Sequence, residues 1–221
     1  MNGTFARGLA PGLALGLIAA AAGPGAAEPR LGWYIQAGPA GVSFDEGASI
    51  AAGGTTIPGA SATLTDNVTL GLGIGYRFSE PLSVIAILGV PPTTTVKGTG
   101  PLAGVTVGDV TYGPLIVAAN YHFPTQGKFQ PFIGAGFNYT VVFDTKDSGL
   151  TNLEADNAFG GVLRVGFDYM VDDRNGIFFS ANKVFVNTNA TGNAVALGGA
   201  PISAKIDLDP LILHTGWVHR F

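Results

Sequence analysis

The sequence predicts an all-β chain, an eight-stranded antiparallel up-and-down transmembrane β-barrel. Three observations lead there: segments of alternating hydrophobicity recur, the links between them alternate short and long, and the polar face of each segment is sparse. The stretch "VTLGLGIGYRF" shows the pattern. Leu70, Leu72, Ile74, Tyr76 and Phe78 share one parity, while Thr69, Gly71, Gly73, Gly75 and Arg77 share the other. Successive side chains of a strand point to opposite faces. A soluble barrel would bury the apolar face and cover its outside with solvated charge. A face made mostly of glycine cannot supply that cover. The apolar face therefore belongs in hydrocarbon, and the sparse face turns toward the barrel axis.

Composition agrees with this inversion. Of 221 residues, 34 are glycine and only 12% are charged, against roughly a quarter in ordinary soluble domains. Disordered chains are usually more charged and less hydrophobic. The formal charge of −4 argues against a nucleic-acid partner, which would favour a basic stripe. The absence of cysteine excludes disulfides, thiolate zinc sites and thiol nucleophiles.

Taken in order, the chain opens with an export leader, predicted over residues 1–27. Arg7 precedes the apolar stretch Leu9–Ala22, and Gly25 and Ala27 form a small-residue pair before Glu28. That is the layout of a secretory signal peptide. A membrane anchor fits less well, because Pro24 and Gly25 interrupt the run and a spanning helix needs about 20 apolar residues. The barrel domain then occupies 28–221. Its strands are predicted near 32–43, 68–78, 82–91, 112–123, 129–143, 158–170, 177–188 and 204–221. In the fifth, Ile133, Ala135, Phe137, Tyr139 and Val141 oppose Phe132, Gly134, Gly136, Asn138 and Thr140. In the sixth, Leu163, Val165, Phe167 and Tyr169 oppose Val162, Arg164, Gly166 and Asp168. The seventh carries Lys183 on its apolar parity, which implies either a register shift or a snorkelling side chain.

The connections "SEP", "PTQGK" and "VDDRNG" are tight and hold turn residues. The stretches after Ser43, Pro91, Asp144 and Asn189 are long and rich in Gly, Thr, Asn and Ala. Strict alternation puts every long link at one end, the asymmetry of a bacterial outer-membrane barrel. Closure is required there, since open strand edges would leave amides unpaired in hydrocarbon. The final "HTGWVHRF" supplies Gly216, Trp217 and the terminal Phe221, the kind of segment by which barrel assembly machinery recognises its clients. His219 stands where that segment usually has an aromatic residue.

With these residues in view, the chain resembles the OmpW family of eight-stranded outer-membrane proteins. The resemblance rests on "PFIGAGFNYT" (Pro131–Thr140), "GFDYMVDDRNG" (Gly166–Gly176), "NTNATG" (Asn187–Gly192), "DLDP" (Asp207–Pro210) and "ANYHF" (Ala119–Phe123). The first long link, with "AAGGTTIPGASATL", matches least. The resemblance implies a narrow apolar channel, closed toward the periplasm, that admits small hydrophobic molecules and releases them sideways through the wall. The implied partners are outer-membrane lipid and lipopolysaccharide, the solutes themselves and the assembly machinery, with no cofactor. On the inward parity, Ile85, Ile87, Ile116, Phe132 and Ile212 are candidates to line the channel. Arg77, Arg164 and Asp168 lie near short links and are expected to form a polar plug, with Arg164 and Asp168 as a structural ion pair. Pro39, Pro91 and Pro114 remove ladder donors near strand ends and are candidates for a lateral opening.

Other readings carry less. "GLGIG" and "GTGPLAG" lack the G-x-G-x-x-G spacing of a dinucleotide site. His122, His214 and His219 have no short metal-ligand spacing. An outer-membrane hydrolase built on one of these histidines lacks a G-x-S-x-G elbow. A non-transporting envelope barrel, whose outer loops bind a partner, is the alternative to uptake.

Overall fold

The structure is a computed structural model that describes residues 31–125 and 127–221; the predicted leader lies outside them. Among the described residues the strands run in order as follows. The first part holds β1 (Gly32–Ser43), β2 (Gly47–Ala52), β3 (Thr55–Thr56), β4 (Ser61–Leu64) and β5 (Asn67–Arg77). The middle holds β6 (Leu82–Gly89), β7 (Thr93–Thr99), β8 (Thr106–His122), β9 (Phe129–Asp147) and β10 (Leu150–Ala155). The last part holds β11 (Ala158–Met170), β12 (Asn175–Phe185), β13 (Asn187–Ala194), β14 (Ala200–Asp207) and β15 (Leu211–Arg220).

Eight of these close a ring of antiparallel pairs in the order β1, β5, β6, β8, β9, β11, β12, β15 and back to β1. This is the predicted barrel. The links at 78–81, 123–128 and 171–174 are short, and the long ones all leave from the opposite end. In the last short link, the Asp172 carboxylate accepts the N–H groups of Arg174 and Asn175 at 2.8 Å each. Those bonds hold its pKa below the usual carboxylate range, so the turn loses this support as pH falls through the lowered value.

The long links are not loops. β8 and β9 run 17 and 19 residues, well beyond the roughly 9–11 that cross a bilayer. Their upper halves continue pairing with each other, and β7 and β4 add to the same sheet. A second sheet, ordered β10, β13, β14, β2, β3, completes a crown above the barrel. The strand predicted over 204–221 is thus two, β14 and β15. Asp209, at φ 31°, and Pro210 break it. The strand predicted over 177–188 likewise divides into β12 and β13. Lys183 stays on the outward parity and snorkels: its Nζ donates to the Asp209 carbonyl and lies 3.6 Å from Asp45.

The inversion is visible along β5, where Leu70, Leu72, Ile74 and Tyr76 are exposed outward while Gly71, Gly73, Gly75 and Arg77 are buried. Near the short links the outer face carries an aromatic girdle. Trp33 meets Tyr76 at 5.2 Å, Tyr121 meets Phe123 at 5.5 Å, and His219 packs between Trp217 and Phe221 at 5.1 and 4.8 Å. His219 therefore fills an aromatic place in that ring.

The inward glycines make room for their neighbours' side chains. A Cβ on Gly75 would fall 2.2 Å from the Tyr34 ring, one on Gly73 would fall 2.8 Å from Ile85, and one on Gly71 would fall 2.7 Å from His214. Gly75→Val is expected to destabilise the refolded barrel by about 1–3 kcal/mol, the usual cost of overpacking. Leu72→Val on the lipid face should leave it nearly unchanged, and Tyr34→Ala should partly rescue Gly75→Val. Urea titration in vesicles, with heat-modifiable gel migration as the fold assay, checks all three.

Candidate functional site

Two levels divide the interior. The upper level is a cavity of about 250 Å³ enclosed jointly by the barrel rim and the crown. Val42, Val184, Val186 and Ile212 come from the rim, and Ile50, Leu64, Val96, Leu102, Leu153, Ile202 and Ile206 from the crown. Inward parity places the crown strand residues there, as Ile202, Ala204 and Ile206 on β14 show. Few polar side chains reach this surface, among them Thr94, Asn138 and Thr140.

A smaller cavity of about 40 Å³ adjoins the first, sharing Val42, Pro114 and Ile212. It extends to the wall, where Thr69, Leu88, Gly89, Val90 and Pro92 line it. The β6–β8 ladder ends at Ile87 opposite Ile116, and β7 resumes pairing with β8 only at Thr93 opposite Thr111. Between them the Tyr112 N–H donates to the Pro92 carbonyl at 3.1 Å. Of the three predicted prolines, Pro114 lines this region and Pro91 is exposed beside it, its neighbour Pro92 being the one on the cavity. Pro39 sits elsewhere, at the β1–β15 seam, where pairing skips from Ala37–Trp217 to Ala40–His214. That seam is tight, since a Cβ on Gly38 would fall 2.1 Å from the Thr215 carbonyl oxygen and one on Gly216 2.1 Å from that of Ala37. Gly216, predicted as part of an assembly signal, lets the first and last strands meet.

All five channel-lining candidates are buried inside the barrel, and the structure separates them. Ile87, Ile116 and Ile212 border the cavities. Ile85 and Phe132 lie on neither cavity and are packed side chains.

The lower level is polar. Asp168 accepts from Arg220 Nη2 at 2.9 Å and from Gln36 Nε2 at 3.1 Å. Gln130 Oε1 accepts from Arg220 at 2.9 Å and from Arg77 at 3.2 Å, and Arg77 also donates to the Glu80 carbonyl. Beside them, Ser83 joins Tyr34 at 3.2 Å, His122 at 2.9 Å and Asn120 at 3.3 Å. All of these side chains are buried and come from inward positions near the short links.

The expected Arg164–Asp168 ion pair does not form; Asp168 pairs with Arg220. Residues four apart on one strand are separated by about 13 Å, so Arg164 would have to lie fully extended along the strand to reach Asp168. None of the Arg164 nitrogens has a hydrogen-bond partner among the described residues, and its guanidinium lies 5.1 Å from the centroid of the Phe132 ring, a cation–π distance. Sequence reasoning missed Arg220, Gln36 and Tyr34. Parity alone marks them as inward, since Arg220 aligns with Ile212 and His214, and Gln36 with Ala40 and Val42.

A closed barrel with an apolar exterior, an apolar cavity under a crown and a charged lower layer defines a small integral outer-membrane β-barrel. Comparison with known proteins gives the family: the OmpW family model matches residues 32–221, and the chain belongs to that family. It is 38% identical over 182 residues to the dibenzothiophene metabolism operon protein PahQ of Pseudomonas aeruginosa, covering 81% of this chain and 84% of that one. It is 28% identical over 170 residues to the outer membrane protein AlkL of Ectopseudomonas oleovorans, covering 76% and 73%. A crystal structure of the outer membrane protein OprG from Pseudomonas aeruginosa superposes with a TM-score of 0.83 at 26% identity, covering 89% of this chain and 99% of that chain. The chain is accordingly an integral protein of the bacterial outer membrane.

Removing one partner of a buried ion pair leaves the other charge uncompensated. Asp168→Asn is expected to cost about 3–5 kcal/mol of barrel stability. Asp168→Asn combined with Arg220→Gln should cost less than the two single changes added together. A double-mutant cycle on urea unfolding in vesicles reads the coupling.

Proposed function

We propose that this barrel carries out passive uptake of small hydrophobic molecules: they enter the upper cavity from outside and leave sideways into the membrane. The observation that carries the reading is the apolar cavity, held above the membrane level by the crown and adjoining a break in the wall. The lipopolysaccharide leaflet presents sugars and phosphates, a polar crust that resists apolar solutes. An apolar cavity above it lets such a molecule leave water without crossing that crust.

Size favours compact solutes. An apolar cavity of about 150 Å³ holds benzene, so a cavity of about 250 Å³ suits a fused bicyclic arene. The name of one relative, a dibenzothiophene metabolism operon protein, points to the same chemical class. On this reading Ile87, Ile116 and Ile212 line the path, Arg77, Asp168 and Arg220 close it below, and the wall near Pro91, Pro92 and Pro114 is the exit. Residues 1–27 serve as the export leader, and Gly216, Trp217 and Phe221 as the segment engaged by the barrel assembly machinery.

Val186→Trp, which fills the cavity from the rim, is expected to slow naphthalene uptake by proteoliposomes severalfold while the barrel still assembles. Pro92→Ala with Pro114→Ala restores two ladder donors and should slow delivery to the membrane without reducing cavity occupancy. Uptake equal to wild type in Val186→Trp removes the cavity from the path; unchanged delivery in the proline variant removes the lateral exit.

A further inference from the structure

We propose that the base of the cavity is a hydrogen-bonding subsite for a hydroxyl group, so that the barrel prefers hydrophobic solutes carrying one, phenols over the parent arene. The inference rests on the uptake reading and names the solute chemistry at that same site. Two fully buried asparagines carry it. Asn138, on β9, lines the upper cavity; its Nδ2 donates to Thr140 Oγ1 at 2.8 Å, and its Oδ1 has no partner. Asn182, on β12, lines the adjoining cavity; its Nδ2 donates to the Ile212 carbonyl at 3.0 Å and to Ser180 Oγ at 3.3 Å, and its Oδ1 likewise has no partner.

Gln36 and Asn120 in the lower layer share this arrangement, the donor end of the amide tied to the protein and the acceptor end unpaired, but of the four only Asn138 and Asn182 line a cavity. A purely structural role accounts for the donor ends, which brace neighbouring strands. It leaves both acceptor oxygens buried and unpaired on residues that line apolar space, where an unpaired polar atom is costly. Leucine or valine, which recur in the lining, would have avoided the cost. An O–H group supplies what an amide oxygen lacks, whereas an arene without one leaves the oxygen unpaired. Sites built to bond a hydroxyl discriminate against analogues lacking it for this reason. The ligand class is an apolar body with one hydroxyl, oriented head down toward β9 and β12.

The test compares 1-naphthol with naphthalene, nearly equal in shape. Dissociation constants are measured on the full barrel in lipid nanodiscs and corrected for partition into protein-free nanodiscs. The expected result is roughly three- to tenfold tighter binding of 1-naphthol, the range of one neutral hydrogen bond. Asn138→Leu or Asn182→Leu should bring the ratio close to one. Where a leucine variant does not assemble, the side-chain amide signals of Asn138 and Asn182 in the wild-type barrel carry the test. They should shift with 1-naphthol and stay in place with naphthalene. Equal affinities, amide signals indifferent to the hydroxyl, or a preference surviving in both variants overturns the subsite. Failure of both probes to bind overturns the cavity reading itself, and this inference with it.

Discussion

Every backbone N–H and C=O within the hydrocarbon must find its partner inside the protein, because lipid offers none. That requirement is met by joining β15 to β1, and much of the architecture follows from it. The seam closes on two glycines: Gly38 and Gly216 bring the strands close enough that a side chain on either would strike the opposing backbone. With the ring sealed there, Pro39 interrupts the ladder without opening a passage. The break between β6, β7 and β8 differs in kind, because a cavity lies behind it and the strand changes course across Gly89–Pro92.

Closure also fixes what the interior can hold. Strand parity sends alternate residues to the axis, and a narrow eight-stranded barrel has little room for them. The glycines of β5 resolve the crowding by ceding space to Tyr34, Ile85 and His214. Charges that face inward must then be paired or stacked. Asp168 satisfies Arg220 and Gln36 together, Gln130 bridges Arg220 to Arg77, and Arg164 lies against the Phe132 ring. Above this layer the crown strands use the same parity to present valine, isoleucine and leucine to one another.

The barrel strands were legible because lipid on one side and a crowded axis on the other impose an alternation that no loop shares. β1 and β11 fall on the predicted 32–43 and 158–170. The crown was harder to see. Its strands are short, pairs such as Ile50 with Ala48 are weakly apolar, and glycine and threonine around them read as link composition. The end of β14 runs on into the strand predicted over 204–221, since nothing local marks the kink at Asp209 except the proline after it. Parity marks Arg77, Arg164 and Asp168 as inward, but Arg220 and Gln36 were passed over and the pairing was not legible. Asp168 and Arg220 belong to strands separated by β12, so their meeting depends on barrel curvature and stagger, which one sequence does not encode locally.

The vertical order of the interior bears on the direction a solute would take. Descending from the cavity, an apolar molecule meets Arg164 over Phe132 and then the Asp168–Arg220 pair with its bridging glutamines. To pass, it would have to part buried charges while offering no hydrogen bond in return, and separating such a pair is far costlier than moving along apolar surface. Sideways, the small cavity leads from Ile116 and Ile212 to Leu88 and Val90, which are exposed on the outer face. On the proposed reading, that route exchanges one apolar surface for another. On that same reading the plug both seals the barrel toward the short links and makes the wall the less costly exit.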